Sequence, residues 1–402
     1  MSAPALSPRQ FSLLRVVLAL YLCVHFVGLM PAAEALFSDA GMASDPTLLP
    51  GWGRLPNLFA LSDSVAVVWA ALGCGALLSI CLGVGWRRRW SALALWLLWA
   101  SLFGRNPLIS NPGMPYIGMA LLLMAALPRG EPLALDPPRP GWRLPAWLPG
   151  ALLVSLMAGY TVSGLHKLSA PSWIDDSALS HVLALPIARD TSLREWVLSL
   201  PPQLLQLASW GALGLEILAL PLSLWRVTAP WVWLALTAMN LGILTLIDFA
   251  DLTFGVLVFH LFAFDGRWLP PARFPGAVVF FDGVCNLCNG AVDFIFAEDA
   301  SAQFRFAPTQ GETAQRIDAA EVQEGKSMAL EVDGVVYTRT DAVLRVAAGL
   351  GGHWRVLSWS RCIPRWLRDG VYEVVQRNRY AWFGQRQTCR LPTTDEQERF
   401  LP

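Results

Sequence analysis

Two cysteines three residues apart carry the clearest chemistry in this chain: Cys285 and Cys288, in Asp282-Gly-Val-Cys-Asn-Leu-Cys288. The apolar run 277–281 precedes them, and residues 289–296 follow with helical spacing. The order is strand, Cys-x-x-Cys turn, helix. Backbone N–H groups and the dipole at a helix start favour a thiolate on Cys285, and Cys288, one turn in, lies within disulfide reach. Cys285 is the expected nucleophile and Cys288 the expected resolving thiol. Asp282 either accepts a proton or fixes the turn, while Gly283 permits close backbone approach. Cys389 is either a third redox thiol or structural, and Cys362 is expected to pack. The same pair also reads as half of a zinc site. No second Cys-x-x-Cys or Cys/His pair lies nearby in sequence, so no metal is expected.

A second candidate is Lys167. The chain has 30 Lys and Arg together, and Lys167 and Lys326 are its only lysines. Lysine can lose its proton when desolvated and act as a base, which guanidinium cannot. The alternative is a snorkelling interfacial cation. Glu216, His25, Asn240 and His260 fall inside apolar stretches. An ionisable group there costs roughly 2.5–3.5 kcal/mol on insertion scales, so it faces a cavity or a bundle interior. Glu216 is either a pocket residue or a structural hydrogen-bonding group; His25 and His260 are either packed or part of a site.

These residues must be held by two kinds of structure. With 54% hydrophobic residues, 15% charged, 19 Trp and a mean hydropathy of +0.45, most of the chain is too apolar for a water-soluble protein of 402 residues. A net charge of zero gives no basic field for nucleic acid. Cys23, Cys74 and Cys81 lie in apolar runs and read as buried, inert thiols. Apolar segments near 12–30, 62–83, 90–104, 114–128, 146–166, 203–225, 229–248 and 252–265 predict about eight transmembrane helices. The first lacks a cleavage site and is kept as a helix. Arg9, Arg15, Arg87, Arg88, Arg89, Arg129, Arg139, Arg143, Arg226, Arg267 and Arg273 fall on one set of flanks. The alternate loops carry fewer cations, so both termini are expected in the cytoplasm and loop 167–202 outside.

After a linker at 270–276, composition turns soluble. Strands are expected at 277–281, 303–306, 328–333 and 335–339, the last two joined by a tight turn at Asp333-Gly334. Helices are expected at 286–297, 312–321, 340–350 and 364–378. This alternation followed by a hairpin and helix is the thioredoxin pattern, although no proline precedes the third strand near residue 327. Helix 364–378 has a cationic and an apolar face. It either packs Trp366, Val371 and Val375 inward, which is the expectation, or lies on the inner leaflet.

Two resemblances attach to these residues. Ser163-Gly-Leu-His-Lys167-Leu through Trp173 to Leu179, with Asn111 to Asp136, resembles the vitamin K-dependent γ-carboxylase family and its HTTM-domain relatives. That resemblance covers roughly residues 9–266 and implies an outward-facing pocket, a possible quinone cofactor, and Lys167 as the base acting on it. The chain departs from the family at Pro112, where the pattern has His. Phe281-Asp282-Gly-Val-Cys285-Asn-Leu-Cys288-Asn, Arg339-Thr340-Asp341-Ala342, and Arg377-Asn-Arg-Tyr380 with Trp382-Phe-Gly384…Cys389-Arg-Leu-Pro392 resemble the DCC family of thiol-disulfide oxidoreductases.

The expected architecture is therefore a multi-pass α-helical membrane domain at 1–269 and an α/β thioredoxin-like domain at 277–402, in a bacterial inner membrane. The expected function is a membrane-anchored thiol-disulfide oxidoreductase. Its partners are membrane lipid and an unidentified thiol or peptide substrate, with no nucleic acid. The alternatives are a carboxylase-like or peptide-modifying enzyme with Lys167 as base, and a non-enzymatic maturation factor.

Overall fold

The structure is a computed structural model; it describes residues 5–42, 45, 53, 55–111, 113–175, 177–248, 252–317, 319–323, 325, 327–388, 392–393 and 396–402. Pro112 and Cys389 lie outside the described residues. The chain divides into two compact units, Pro8–Phe264 and Asp265–Pro402, the latter joined by the segment that ends at Ser7. The division falls just before the expected domain end at 269. Residues 270–276 are hydrogen-bonded into the C-terminal unit: the Ala272 N–H donates to the Ala348 carbonyl at 2.8 Å, and the Phe274 N–H to Gln303 Oε1 at 2.9 Å.

The first unit is helical. Its main helices are α1 (Pro8–Leu29), α2 (Val65–Val84), α3 (Arg88–Arg105), α4 (Met114–Ala126), α5 (Leu148–Lys167), α6 (Pro202–Ile217), α7 (Ala229–Leu246) and α8 (Leu252–Ala263). Each of the eight expected apolar segments contains one. Among the described residues, four helical stretches are long and apolar enough to cross a membrane: Pro8–Phe37, Val65–Val84, Leu148–Lys167 and Ala229–Leu246. Their outward faces are apolar, with Leu20, Val24, Leu77, Val162 and Trp231 exposed, as suits helices solvated by lipid chains. For the same reason the inert thiols are not buried: Cys74 is exposed, and Cys23 and Cys81 are half-buried.

Two of the flanking arginines also depart from expectation. Arg15 and Arg88 are fully buried and both bind Glu131, at 2.9 and 2.7 Å. They tie α1 and α3 to the 131–133 loop instead of standing at a surface. A buried charge is tolerated only when paired, and one carboxylate shared by two guanidinium groups meets that condition.

The C-terminal unit is a four-stranded mixed sheet with helices. Strands β1 (Val278–Phe281), β2 (Arg305–Pro308), β3 (Ala329–Val332) and β4 (Val335–Thr338) lie in the order β2-β1-β3-β4. β1 is parallel to β2 and antiparallel to β3. β2 starts later than expected because the parallel register pairs Val278 with Arg305 and Phe281 with Pro308. The β3–β4 turn has Asp333 at φ 51° and Gly334 at φ 79°, both in the left-handed region that a two-residue hairpin requires. Side chains alternate across the sheet. Val279, Phe281, Phe306 and Leu330 pack with Val292 and Ile295 of α9 (Asn286–Glu298) and with Val346 and Leu350 of α10 (Arg339–Leu350). Val278, Phe280, Ala307 and Ala329 form the other core, with Val322.

The expected helix at 312–321 is instead two short ones, Glu312–Gln315 and Ala320–Gln323. After α11 (Gly352–Leu357), the chain makes a 3₁₀ turn at Ser358–Cys362, where Cys362 is exposed and not packed. It then enters α12 (Arg365–Phe383). The C-terminal residues return to the sheet: the Leu401 N–H donates to the Phe306 carbonyl at 2.8 Å, and Arg399 binds the buried Asp299 at 2.5 Å.

Candidate active site

β1 is the central strand and is buried at all four positions, so it delivers Asp282 to a fixed place at the sheet's end. The chain then turns: the Cys285 N–H donates to the Asp282 carbonyl at 3.2 Å. Cys285 is the residue that caps α9. Its backbone is extended (φ −81°, ψ 122°), and its sulfur accepts the Cys288 N–H at 3.2 Å. A sulfur in the N-cap position takes the place usually held by a Ser or Asp oxygen, where free N–H groups favour an anion. Asn289 clamps the turn from inside the helix, donating to the carbonyls of Gly283 at 2.9 Å and Cys285 at 2.8 Å.

Asp282 is buried and accepts four hydrogen bonds. Oδ1 takes the Val284 N–H at 3.2 Å and Gln310 Nε2 at 2.9 Å; Oδ2 takes Arg379 at 3.3 Å and the Tyr380 hydroxyl. Burial works against the charged form, yet the donors, Tyr380 and Gln310 first, outweigh it and hold the carboxyl below its ordinary range. Of the two expected roles, this geometry suits fixing the turn. Gln310 and Asn289 were not anticipated; their signal in sequence is only an amide two residues beyond β2 and one residue beyond the second cysteine.

The two thiols differ in surroundings. Cys285 is fully buried, whereas Cys288 is half-buried and lines a cavity of about 60 Å³ with Ser327, Met328, Tyr372 and Arg379. Burial first, then its hydrogen bond to Cys285 and the Asp282 charge, push the Cys288 thiol up. Burial likewise pushes Tyr372 up to about 12. The residues after α12 run beside Cys285: it forms an antiparallel backbone bridge with Gln385, and the Arg386 N–H donates to the Val284 carbonyl at 2.8 Å. Asn286 Nδ2 binds the Phe383 carbonyl at 3.0 Å. The Arg339-Thr340-Asp341 block sits elsewhere. Arg368 joins Thr340 at 2.5 Å to Asp341 at 2.7 Å, and Thr340 donates to Asp369, tying α10 to α12.

In the helical unit, most of the polar residues singled out in sequence converge. A cavity of about 850 Å³ is lined by Lys167, Glu216, Ser163, Tyr160, Asn240 and Tyr116, among others. Lys167 Nζ lies 2.5 and 2.6 Å from the two Glu216 oxygens and 4.6 Å from the centre of the Trp173 ring. The Tyr160 hydroxyl accepts from Asn240 Nδ2 at 2.6 Å and meets His260 Nε2 at 2.8 Å; Thr237 meets His260 Nδ1 at 2.9 Å. His25 stands apart among aromatic rings, 4.7 Å from Trp99. Among the described residues, no three His, Cys, Asp or Glu side chains cluster as metal ligands would.

Comparison with known proteins bears on the dithiol unit. Over 133 residues the chain is 39% identical to the uncharacterized protein YuxK of Bacillus subtilis, covering 97% of that protein and 32% of this chain. It is 32% identical over 118 residues to a chloroplastic DCC family protein of Arabidopsis thaliana, covering 69% of that protein and 28% of this chain. No solved structure matches. Residues 279–385 match the family described as DCC1-like thiol-disulfide oxidoreductase. Through this unit, whose buried dithiol turn is set at the end of a central strand, the chain belongs to the DCC family.

Proposed function

We propose that the protein is a membrane-anchored thiol-disulfide oxidoreductase of thioredoxin-like fold, working through Cys285 and Cys288. The observation that carries this reading is the Cys285 sulfur capping α9, with Cys288 one turn on. In the reducing direction, the Cys285 thiolate attacks one sulfur of a substrate disulfide. That S–S bond breaks, a mixed disulfide forms, and the first substrate sulfur leaves with the electron pair. Cys288 then loses its proton, attacks Cys285, and releases the second substrate sulfur. The substrate gains two electrons and Cys285–Cys288 becomes a disulfide. The raised Cys288 thiol keeps the pair from acting as two nucleophiles at once. Segment 384–386 parts for Cys285 to react.

The test uses the full chain with Cys288→Ala, which traps a mixed disulfide, and Cys285→Ala, which does not. Equal trapping by both variants refutes the assigned roles. The arginine distribution in the sequence supports a reading in which both termini, and with them the dithiol, lie in the cytoplasm. Impermeant thiol labelling of whole cells that reached Cys288 would reverse this orientation.

A second reading is favoured by the cavity holding Lys167 and Glu216, together with the resemblance of that region to the HTTM and γ-carboxylase group. Its volume suits a small cofactor. A quinone in its hydroquinone form fits the groups present, with Lys167, Ser163, Tyr160 and Asn240 on the wall; bound there it would supply two electrons and the O–H proton that a base removes. Lys167 serves as a base only after a ligand draws it from Glu216, because an ammonium held by a carboxylate is a donor. Lys167→Arg keeps the charge and removes the basicity, so retained activity excludes Lys167 as the base.

A further inference from the structure

Helix α12 is inside-out. Its face toward the domain is polar: Asp369 is buried against Thr340, Arg368 reaches Thr340 and Asp341, Glu373 holds Arg339 at 2.8 Å, and Arg379 binds Asp282. Its outer face is apolar. Trp366 is 76% exposed, Val371 65%, Val374 55% and Trp382 57%, and Leu367 stands exposed between them. The expectation that Trp366 and Val371 pack inward is thereby overturned; of the three residues named, Val375 alone turns to the domain, lining the cavity at Cys288. The inner positions are taken by charged groups, of which Arg368, Asp369 and Glu373 bind α10 and Arg379 binds Asp282, which leaves the apolar stripe on the far side. Leu357, Trp359 and Ile363 extend it, all exposed.

We propose that this face lies in the interfacial layer of a lipid bilayer. An apolar stripe more than four turns long, from Trp366 to Trp382, is costly when left in water. A second protein copy would cover it as well, but three features of the chain favour lipid. Tryptophans stand at both ends of the helix and in the adjoining turn, the residue type that settles at the headgroup level. Arginines border the stripe with solvent-exposed heads in surface ion pairs: the Arg365 side chain is 60% exposed, 3.2 Å from Asp369, and that of Arg377 is 78% exposed, 3.2 Å from Glu373. Their stems can lie along the apolar surface while the guanidinium groups reach lipid phosphates. Finally, among the described residues four helices are able to cross a membrane, and residues 264–277 separate α8 from β1, at most ~50 Å of extended chain. Because α12 also carries Arg379 and leads into segment 384–386, docking places the dithiol beside the membrane.

The test keeps the native cysteines. The photo-crosslinking residue p-benzoylphenylalanine replaces Val371 or Val374 in the full chain, with Arg316 as a solvent-facing control, in phosphatidylethanolamine–phosphatidylglycerol vesicles. Lipid adducts at Val371 and Val374, severalfold above Arg316, are expected from mass spectrometry. Crosslinked dimers, crosslinks to another segment of the same chain, or yields equal to the Arg316 control at both positions overturn the proposal. Val371 and Val374 point away from the core and the dithiol turn, so the substitutions leave both intact, and an unchanged thermal unfolding midpoint verifies this.

Discussion

Segment 384–386 pairs with the backbone at Cys285, and Gly384 is the residue that lets it do so. Gly384 ends α12 at φ 76°, ψ 177°, a combination that is essentially closed to residues with a side chain. A Cβ built there also meets Asn286 Nδ2 at 3.2 Å, the same amide that binds the Phe383 carbonyl. Gly384→Ala therefore strains the closed segment by about 1–3 kcal/mol while leaving the open one relaxed. A central value of about 2 kcal/mol corresponds to about 30-fold more of the open form. The assay is the rate at which N-ethylmaleimide, whose thioether the neighbouring thiol cannot displace, alkylates Cys285 in the reduced full chain, measured by fragment-ion mass spectrometry of the peptide carrying both cysteines. Half-buried Cys288 serves as the internal reference. Cys285 modification should rise by about that factor with little change at Cys288. An unchanged Cys285 rate would show that the thiol is reached by another route, and the role given to the segment would fail.

Three further outcomes follow from the same geometry. Tyr380→Phe removes one donor from the Asp282 carboxylate; because Tyr380 is 38% exposed, the loss is at the low end for a charged acceptor, about 1 kcal/mol, read as faster Cys285 modification. The Asp282 carboxyl is depressed in the folded chain, so its contribution is fully present above its unfolded value near 3.8 and is lost as pH falls through the lower folded value. Protection of Cys285 should thus be flat above pH ~4 and decline below it, with less to lose in Tyr380→Phe; a decline that begins near neutrality would contradict this. Asp299→Asn leaves Arg399 without its buried partner and should loosen the C-terminal residues from Phe304 and Phe306, seen as faster amide exchange at Leu401.

The local features were legible because they depend on neighbours in sequence. An apolar run, a Cys-x-x-Cys turn and a 3.6-residue period place β1, the dithiol and α9 within a residue or two, and Asp333-Gly334 announces its own hairpin. The strand that depends on a partner was placed less well: β2 starts where parallel pairing with β1 sets it. Periodicity also revealed that α12 has two faces, but not which one turns inward. That choice was made by Asp282, Asp341 and Arg339, whose charges recruit Arg379, Arg368 and Glu373 from the helix.

The sequence alone determined that this chain carries a dithiol at a helix start and a set of long apolar helices, because both signals are local and period-based. Tertiary structure decided the rest. It buried the first cysteine and paired its backbone with segment 384–386, gathered Lys167, Glu216, Tyr160 and Asn240 around one cavity, and drew Arg15 and Arg88 onto a single glutamate. The physical reason is the same in each case. Burial is a property of distant segments meeting, and a charged or thiol group goes inside only where such a segment supplies its partner.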